Sequence, residues 1–174
     1  MAILETGRLR LREMTLGDFD ALHALFSDPV AMQHYPKPFD PGMTKGWIGW
    51  SLRNYERYGF GLWAVILKEE ERVIGDCGLT VQQVDGVGEL EIGYHILRPL
   101  WGRGYATEGA IACRDYAFGE LGKERIISWM SPENIASRRV AEKTGMRLEK
   151  KTINSDGRPT VVYSMRREDR VPSS

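Results

Sequence analysis

The chain has no surplus of either charge: 24 basic and 24 acidic side chains leave a formal net charge of zero over 174 residues. No global field therefore draws it to nucleic acid, although a local basic pocket stays open to it. Cysteine is scarce, with Cys77 and Cys113 alone and no CxxC or Cys/His spacing. Both lie in apolar-patterned segments and read as buried, reduced thiols rather than a disulfide or a metal site. No apolar run approaches the roughly 18 to 20 residues that span a bilayer. The start, Met1-Ala2-Ile3-Leu4-Glu5, has neither a basic nor an apolar leader region. These absences point to a reduced cytoplasmic chain without metal, nucleic acid or membrane as partner. Its length suits one domain, 1–174, with a sizeable core.

Periodicity supplies the elements. Leu9 and Leu11 alternate with Arg8, Arg10 and Arg12, which predicts a first strand. Thr15-Leu16-Gly17-Asp18 starts a helix carrying Phe19, Leu22, Leu25 and Phe26, which Asp28-Pro29 stops. After a loop with His34 and Tyr35, a second helix begins at Thr44, with Trp47, Trp50, Asn54 and Tyr58 along one side. Strands follow at Leu62–Leu67, Arg72–Leu79 and Glu89–Leu97, the last two separated by a turn at Gly86-Val87-Gly88. A helix with Ala110, Cys113, Ala117, Phe118 and Leu121 runs to Gly122. A strand at Arg125–Met130, a helix from Asn134 to Gly145 and a strand pair around Asn154–Gly157 complete an α+β chain. The tail from Arg166 to Ser174 is expected to fray.

The most informative stretch is Trp101-Gly102-Arg103-Gly104-Tyr105-Ala106-Thr107-Glu108. It follows a strand and opens a helix, the layout of a backbone cradle for phosphate. Two glycines alone equally fit an ordinary tight turn. A dinucleotide fold fails on detail, because Thr107 stands at its third glycine position and no βαβ units precede it.

With Asn134-Ile135-Ala136-Ser137 to Lys143-Thr144-Gly145-Met146, this stretch resembles the acetyl-CoA site of the GCN5-related N-acetyltransferase (GNAT) superfamily. Gly104-Tyr105-Ala106 matches the end of the family's (Gln/Arg)-x-x-Gly-x-(Gly/Ala) pattern. Trp101 departs from its start, and Trp-Gly-x-Gly-Tyr-Ala-Thr-Glu is the form of the RimJ/RimL branch of ribosomal-protein N-terminal acetyltransferases. Glu5–Arg12, Val73–Leu79 and Glu91-Ile92-Gly93-Tyr94 resemble other segments of that branch, so the similarity spans about residues 5–165.

The resemblance implies a GNAT acyl-CoA N-acyltransferase fold, a mixed sheet of about seven strands flanked by about four helices and splayed between strands 4 and 5. It implies that N–H groups of Gly102, Arg103, Gly104, Tyr105, Ala106 and Thr107, beside Trp101, hold the coenzyme's diphosphate. Asn134 is expected on its pantetheine arm, and a backbone N–H near Ile96 or Leu97 on the oxyanion. In this family the amine attacks the thioester directly, so a base, an oxyanion donor and an acid for the thiolate are needed. Glu89 and Glu91, two apart on a strand, face the same way. Either can serve as base, and Glu91 is favoured because it precedes Ile-Gly-Tyr. The family's usual tyrosine acid falls on Ala141, leaving Ser137 as candidate.

His34, Tyr35 and Trp47, together with Glu91, are the expected acceptor contacts. Branch resemblance favours a protein or peptide α-amine. A small-molecule amine (aminoglycoside, polyamine or amino acid) is the alternative, and a non-catalytic acyl-CoA sensor a third reading. A homodimer is compatible with the resemblance.

Overall fold

The computed structural model describes residues 1–170. Its strands are β1 (Ala2–Glu5), β2 (Leu9–Arg12), β3 (Leu62–Leu67), β4 (Arg72–Val84), β5 (Val87–Ile96), β6 (Arg125–Met130), β7 (Arg147–Ile153) and β8 (Pro159–Arg166). The helices are α1 (Phe19–Phe26), α2 (Pro41–Tyr58), α3 (Tyr105–Gly119) and α4 (Ile135–Thr144). The strands form one mixed sheet in the order β1-β2-β3-β4-β5-β6-β8-β7, antiparallel except where β5 meets β6. This is the expected acyltransferase architecture with one more strand: the chain breaks at Thr6–Arg8, and Ala2–Glu5 pairs with β2 as a separate edge. The parting expected between strands 4 and 5 falls between the same segments, now β5 and β6.

Both faces of the sheet are covered, as the unbroken burial of β3 requires. Trp63, Val65 and Leu67 join the core under α3, with Ala110, Cys113, Ala117 and Phe118. Leu62, Ala64 and Ile66 pack on the other side against Leu22, Leu25 and Phe26 of α1 and Ile48 of α2. A small third cluster, Val84, Ile127 and Val162 with Trp129, continues that second face beyond β5.

Local chemistry sets the ends of the elements. Asp40 accepts a hydrogen bond from the Met43 N–H (2.8 Å) and Pro41 fills the first helical position, so α2 starts before Thr44. Thr44 is instead buried and bonded to His23 Nδ1 at 2.8 Å. The β4–β5 turn sits at Asp85-Gly86, both at positive φ (50° and 78°), rather than at Gly86–Gly88. An Asp-Gly pair suits such a tight hairpin turn, and it lets β4 run on to Val84. α3 ends at Gly119, ahead of Gly122. Of the tail expected to fray, Arg166 closes β8, Arg167–Asp169 form a 3-10 turn, and Arg170 lies 3.3 Å from Asp115. Residues 171–174 lie outside the described ones.

Two glycines let β4 approach its neighbours. A Cβ at Gly75 would lie 1.9 Å from the His95 carbonyl oxygen, and one at Gly78 would lie 2.1 Å from that of Gly61. Neither can yield, because both oxygens belong to the paired sheet. Gly78→Ala is expected to cost about 3 kcal/mol or more of stability. Gly46→Ala, in α2 with open space around it, is expected to add about 0.5–1 kcal/mol. Urea denaturation of the two variants beside wild type measures both.

Candidate active site

β5 is the axis of the site. Leu97 N–H donates to the Ile74 carbonyl at 2.8 Å, and His95 stands opposite Asp76. By the alternation of an antiparallel ladder, the backbone groups of odd-numbered β5 residues turn to β4 and those of even-numbered ones turn to β6. The β5–β6 register is limited to Glu91 with Ile127. Just beyond it, Ser128 Oγ donates to the Ile92 carbonyl at 2.8 Å. Further along, the Trp101 indole N–H donates to the Ile96 carbonyl at 2.7 Å. Between these two capped carbonyls, the N–H groups of Tyr94 and Ile96 face the opening. Leu97 is thereby removed as an oxyanion donor, its N–H being used by β4, and Ile96 keeps the position.

The glycine loop has the form of an anion cradle. Gly102 and Gly104 adopt φ of 76° and 83°, a left-handed geometry that glycine takes without strain. Gly104 is the N-cap of α3 and has no side chain to cap the first turn. The N–H groups of Tyr105, Ala106 and Thr107 therefore have no partner within the helix. Arg103 is exposed, and Tyr105 contributes backbone only, since its ring is buried under the Arg8 guanidinium, 4.4 Å away. The loop is braced from below. Glu108 accepts from Thr6 Oγ1 (2.6 Å), Arg8 N (2.9 Å) and Arg8 Nε (2.6 Å), while Arg8 Nη1 donates to the Arg103 carbonyl (2.9 Å). Free amides, positive-φ glycines and an open sheet edge suit a coenzyme A diphosphate and pantetheine arm. A cleft of about 710 Å³ between β1 and α3 is a poor alternative seat, being lined by Glu5, Glu108, Asp115 and Glu120.

At α4, Asn134 is the N-cap: its Oδ1 accepts from the Ser137 N–H at 3.1 Å, leaving its amide for other contacts. Ser137 Oγ donates to the Tyr94 hydroxyl at 3.3 Å, and that hydroxyl donates to the Ser137 carbonyl at 2.8 Å. Ala141 is fully buried and offers no proton. Tyr94, unremarked in the sequence beyond its place in Glu-Ile-Gly-Tyr, thus joins Ser137 at the opening from the α3–α4 side.

The two glutamates separate. Glu89 shares Arg125 with Glu149 (Arg125 Nε to Glu89 Oε2, 3.0 Å; Arg125 Nη1 to Glu149 Oε1, 2.7 Å), and this pairing takes it out of consideration as base. Among the described residues Glu91 forms no salt bridge, and its Oε2 is buried without any hydrogen bond. Burial pushes its carboxyl up to about 7, against the pull of the Trp129 indole and of His95. Gly93 puts no side chain between Glu91 and His95 on that face; a Cβ added there would meet Leu62 Cδ2 at 3.3 Å and Glu91 Oε1 at 3.5 Å.

On the α1–α2 side the expected acceptor residues are only partly together. Tyr35 and Trp47 meet, but around two residues that composition and spacing left unmarked. Asp76, fully buried, accepts from His95 Nδ1 (2.7 Å) and from Trp47 Nε1 (2.8 Å). His95 Nε2 in turn bonds the Tyr35 hydroxyl at 2.5 Å. Burial disfavours a charged His95, yet the Asp76 carboxylate outweighs it and raises the imidazole above its ordinary value. His34 is half-buried and outside this network. No helix is long and apolar enough to cross a membrane among the described residues.

Residues 8–147 match the family model of the acetyltransferase (GNAT) domain. The chain is 41% identical over 161 residues to the Bacillus subtilis (strain 168) protein YkkB, covering 92% of this chain and 93% of that one. An acetyltransferase structure from Agrobacterium tumefaciens str. C58 superposes with TM-score 0.81 at 32% identity, covering 93% and 92% of the two chains. The coenzyme A complex of RimL, a ribosomal L7/L12 alpha-N-protein acetyltransferase, has TM-score 0.77 at 17% identity, covering 95% and 98%, a likeness of fold.

A carboxyl raised to about 7 makes the folded state less stable as pH climbs. Below the ordinary glutamate value both states are protonated and Glu91 costs nothing. Above 7 the folded state carries a desolvated charge that the unfolded state solvates freely. Glu91→Gln is therefore expected to raise the melting temperature at pH 8 by roughly 2–4 °C and to leave it nearly unchanged at pH 5. Thermal scans of both proteins at the two pH values test this.

Proposed function

The chain belongs to the GNAT acetyltransferase family, and from that premise we propose that this acetyl-CoA-dependent N-acetyltransferase acts on the α-amine of a protein or peptide N-terminus. The observation that carries the acceptor class is Glu91: outside any salt bridge among the described residues, desolvated, on the sheet face opposite Ser137 and Tyr94, with a carboxyl near 7. An α-ammonium titrates at about 7.7–8.0 and a lysine-type ammonium at about 10.4. Proton transfer to Glu91 is nearly balanced for the first and uphill by more than two pKa units for the second. The Trp-Gly-x-Gly-Tyr-Ala-Thr-Glu opening shared with the RimJ/RimL branch supports the same acceptor class.

Acetyl-CoA, when bound, supplies an acetyl group activated as a thioester. The amides of residues 103–107 hold the diphosphate against the positive end of α3. Tyr94, with no strand opposite it, offers its backbone groups to the pantetheine arm. Glu91 takes a proton from the acceptor ammonium, leaving a lone pair free to attack. The Ile96 N–H donates to the carbonyl oxygen as it gains negative charge, and a donor fixed in place needs no reorganisation to do so. A new C–N bond forms and the C–S bond breaks. The attacking nitrogen loses its second proton to solvent, and the departing sulfur, hydrogen-bonded by the Ser137 hydroxyl beside Tyr94, takes up a proton from solvent to leave as the thiol. A thiol of pKa about 8.5 needs only modest help of this kind.

Thiol release from acetyl-CoA with a panel of peptide N-termini, amino acids, polyamines and aminoglycosides, read with mass spectrometry of the products, tests the proposal. Acetylated peptide N-termini are the expected product; turnover confined to polyamines or aminoglycosides would contradict the acceptor class. In wild type, kcat/KM should rise through a pH near 7. Glu91→Gln should flatten that limb and lower kcat by about 10²–10⁴-fold. Ser137→Ala should lower kcat more than it raises KM for acetyl-CoA, as steady-state kinetics on both substrates will tell.

A further inference from the structure

The chain Asp76–His95–Tyr35 has a direction. Asp76 is fully buried on β4, and a buried carboxylate without a cation is costly. Its donors are the Trp47 indole N–H and His95 Nδ1. The groups packed around His95 are Asp76 from β4, Glu91 along β5 and Tyr35 from the α1–α2 loop, with uncharged Phe26 of α1 and Trp47 of α2. Every ionisable neighbour is therefore an acid or a phenol, a setting that favours the imidazolium over the neutral ring. Both ring nitrogens then donate, Nδ1 to Asp76 and Nε2 to the Tyr35 oxygen. With the imidazolium, the Tyr35 hydroxyl accepts that bond, its one hydrogen bond among the described residues, and its own proton is left for another acceptor. A hydroxyl that receives a bond from a cation is polarised into a stronger donor. Glu91 lies within electrostatic reach of both Tyr35 and His95 on the same face, with no side chain at Gly93 between them.

We propose that Asp76 and His95 arm the Tyr35 hydroxyl to donate to an oxygen adjacent to the acceptor's amine, so that the site selects α-amines flanked by a carbonyl or carboxylate over plain alkylamines. This rests on the transferase reading above and on Glu91 meeting the amine. The amine engages Glu91 while the neighbouring oxygen accepts from Tyr35. Asp76 and His95 touch no substrate and act as positioning residues. A plain alkylamine or polyamine leaves the Tyr35 proton unanswered.

The test compares phenylalaninamide with phenethylamine, which differ by the carboxamide, in wild type and in Tyr35→Phe, with acetyl-CoA saturating. Removing the hydroxyl should raise KM for phenylalaninamide about tenfold more than for phenethylamine, with kcat changing less than KM. His95→Asn should reproduce that selectivity loss, and the double variant should add little to either single one. Equal losses for both amines, or no change in their ratio, would overturn the proposal. Should wild type acetylate no amine at all, the transferase reading fails instead. The proposal is then decided by tryptophan-fluorescence titration of the CoA-loaded protein with the same pair. Tighter binding of phenylalaninamide that Tyr35→Phe abolishes supports it, and equal binding of the two amines refutes it.

Discussion

β5 and β6 are the one parallel neighbours in the sheet, and their register holds only at Glu91 and Ile127. Past that point the strands part, and two side chains manage the result: Ser128 takes the Ile92 carbonyl and Trp101 takes the Ile96 carbonyl. Unpaired backbone inside a sheet is ordinarily expensive. Here the Ile92 and Ile96 carbonyls are satisfied while the backbone groups of Tyr94 and the N–H of Ile96 remain directed into the opening. The Glu89–Arg125–Glu149 fork clamps the closed end of the same strand pair. A sheet that zipped fully would have no place for a thioester to pass.

The pleat of β5 then divides the chemistry. Odd-numbered residues put Glu91 and His95 on the face covered by α1 and α2. Even-numbered residues put Tyr94 on the face covered by α3 and α4, against Ser137. The base and the thiolate partner proposed above, Glu91 and Ser137, are thus separated by one layer of backbone and cannot neutralise one another directly. The period-two geometry of a strand achieves this without any loop. Gly93 keeps the lane on the acceptor face clear.

The glycine turn into α3 and the Asn134 cap of α4 were legible because each rests on local rules: glycine at positive φ, Asn ahead of a helix. Glu89 was indistinguishable from Glu91 at that level, since their difference comes from Arg125, which is distant in sequence. Leu97 was misassigned because the strand ends at Ile96 and the next N–H belongs to β4. Asp76 and His95 left a usable signal. A lone carboxylate inside the apolar run Val73–Leu79, and a histidine four residues after Glu91, fall on one face once β4 and β5 are paired. What the chain could not reveal alone was that pairing register. The edge strand Ala2–Glu5 was hidden for another reason: its four residues end before the Leu/Arg alternation of β2 begins, and only their pairing with β2 defines them.

Glu108 joins the β1–β2 turn to the first turn of α3 through three hydrogen bonds, and Arg8 reaches on to the Arg103 carbonyl. The loop between β5 and α3 is therefore shaped during folding, not by the molecule it receives. As the seat proposed for the coenzyme, the loop has surrendered its conformational freedom beforehand, which favours docking onto a preorganised surface. The kinetic corollary is encounter without a slow rearrangement of this corner, leaving any adaptive motion to the acceptor side.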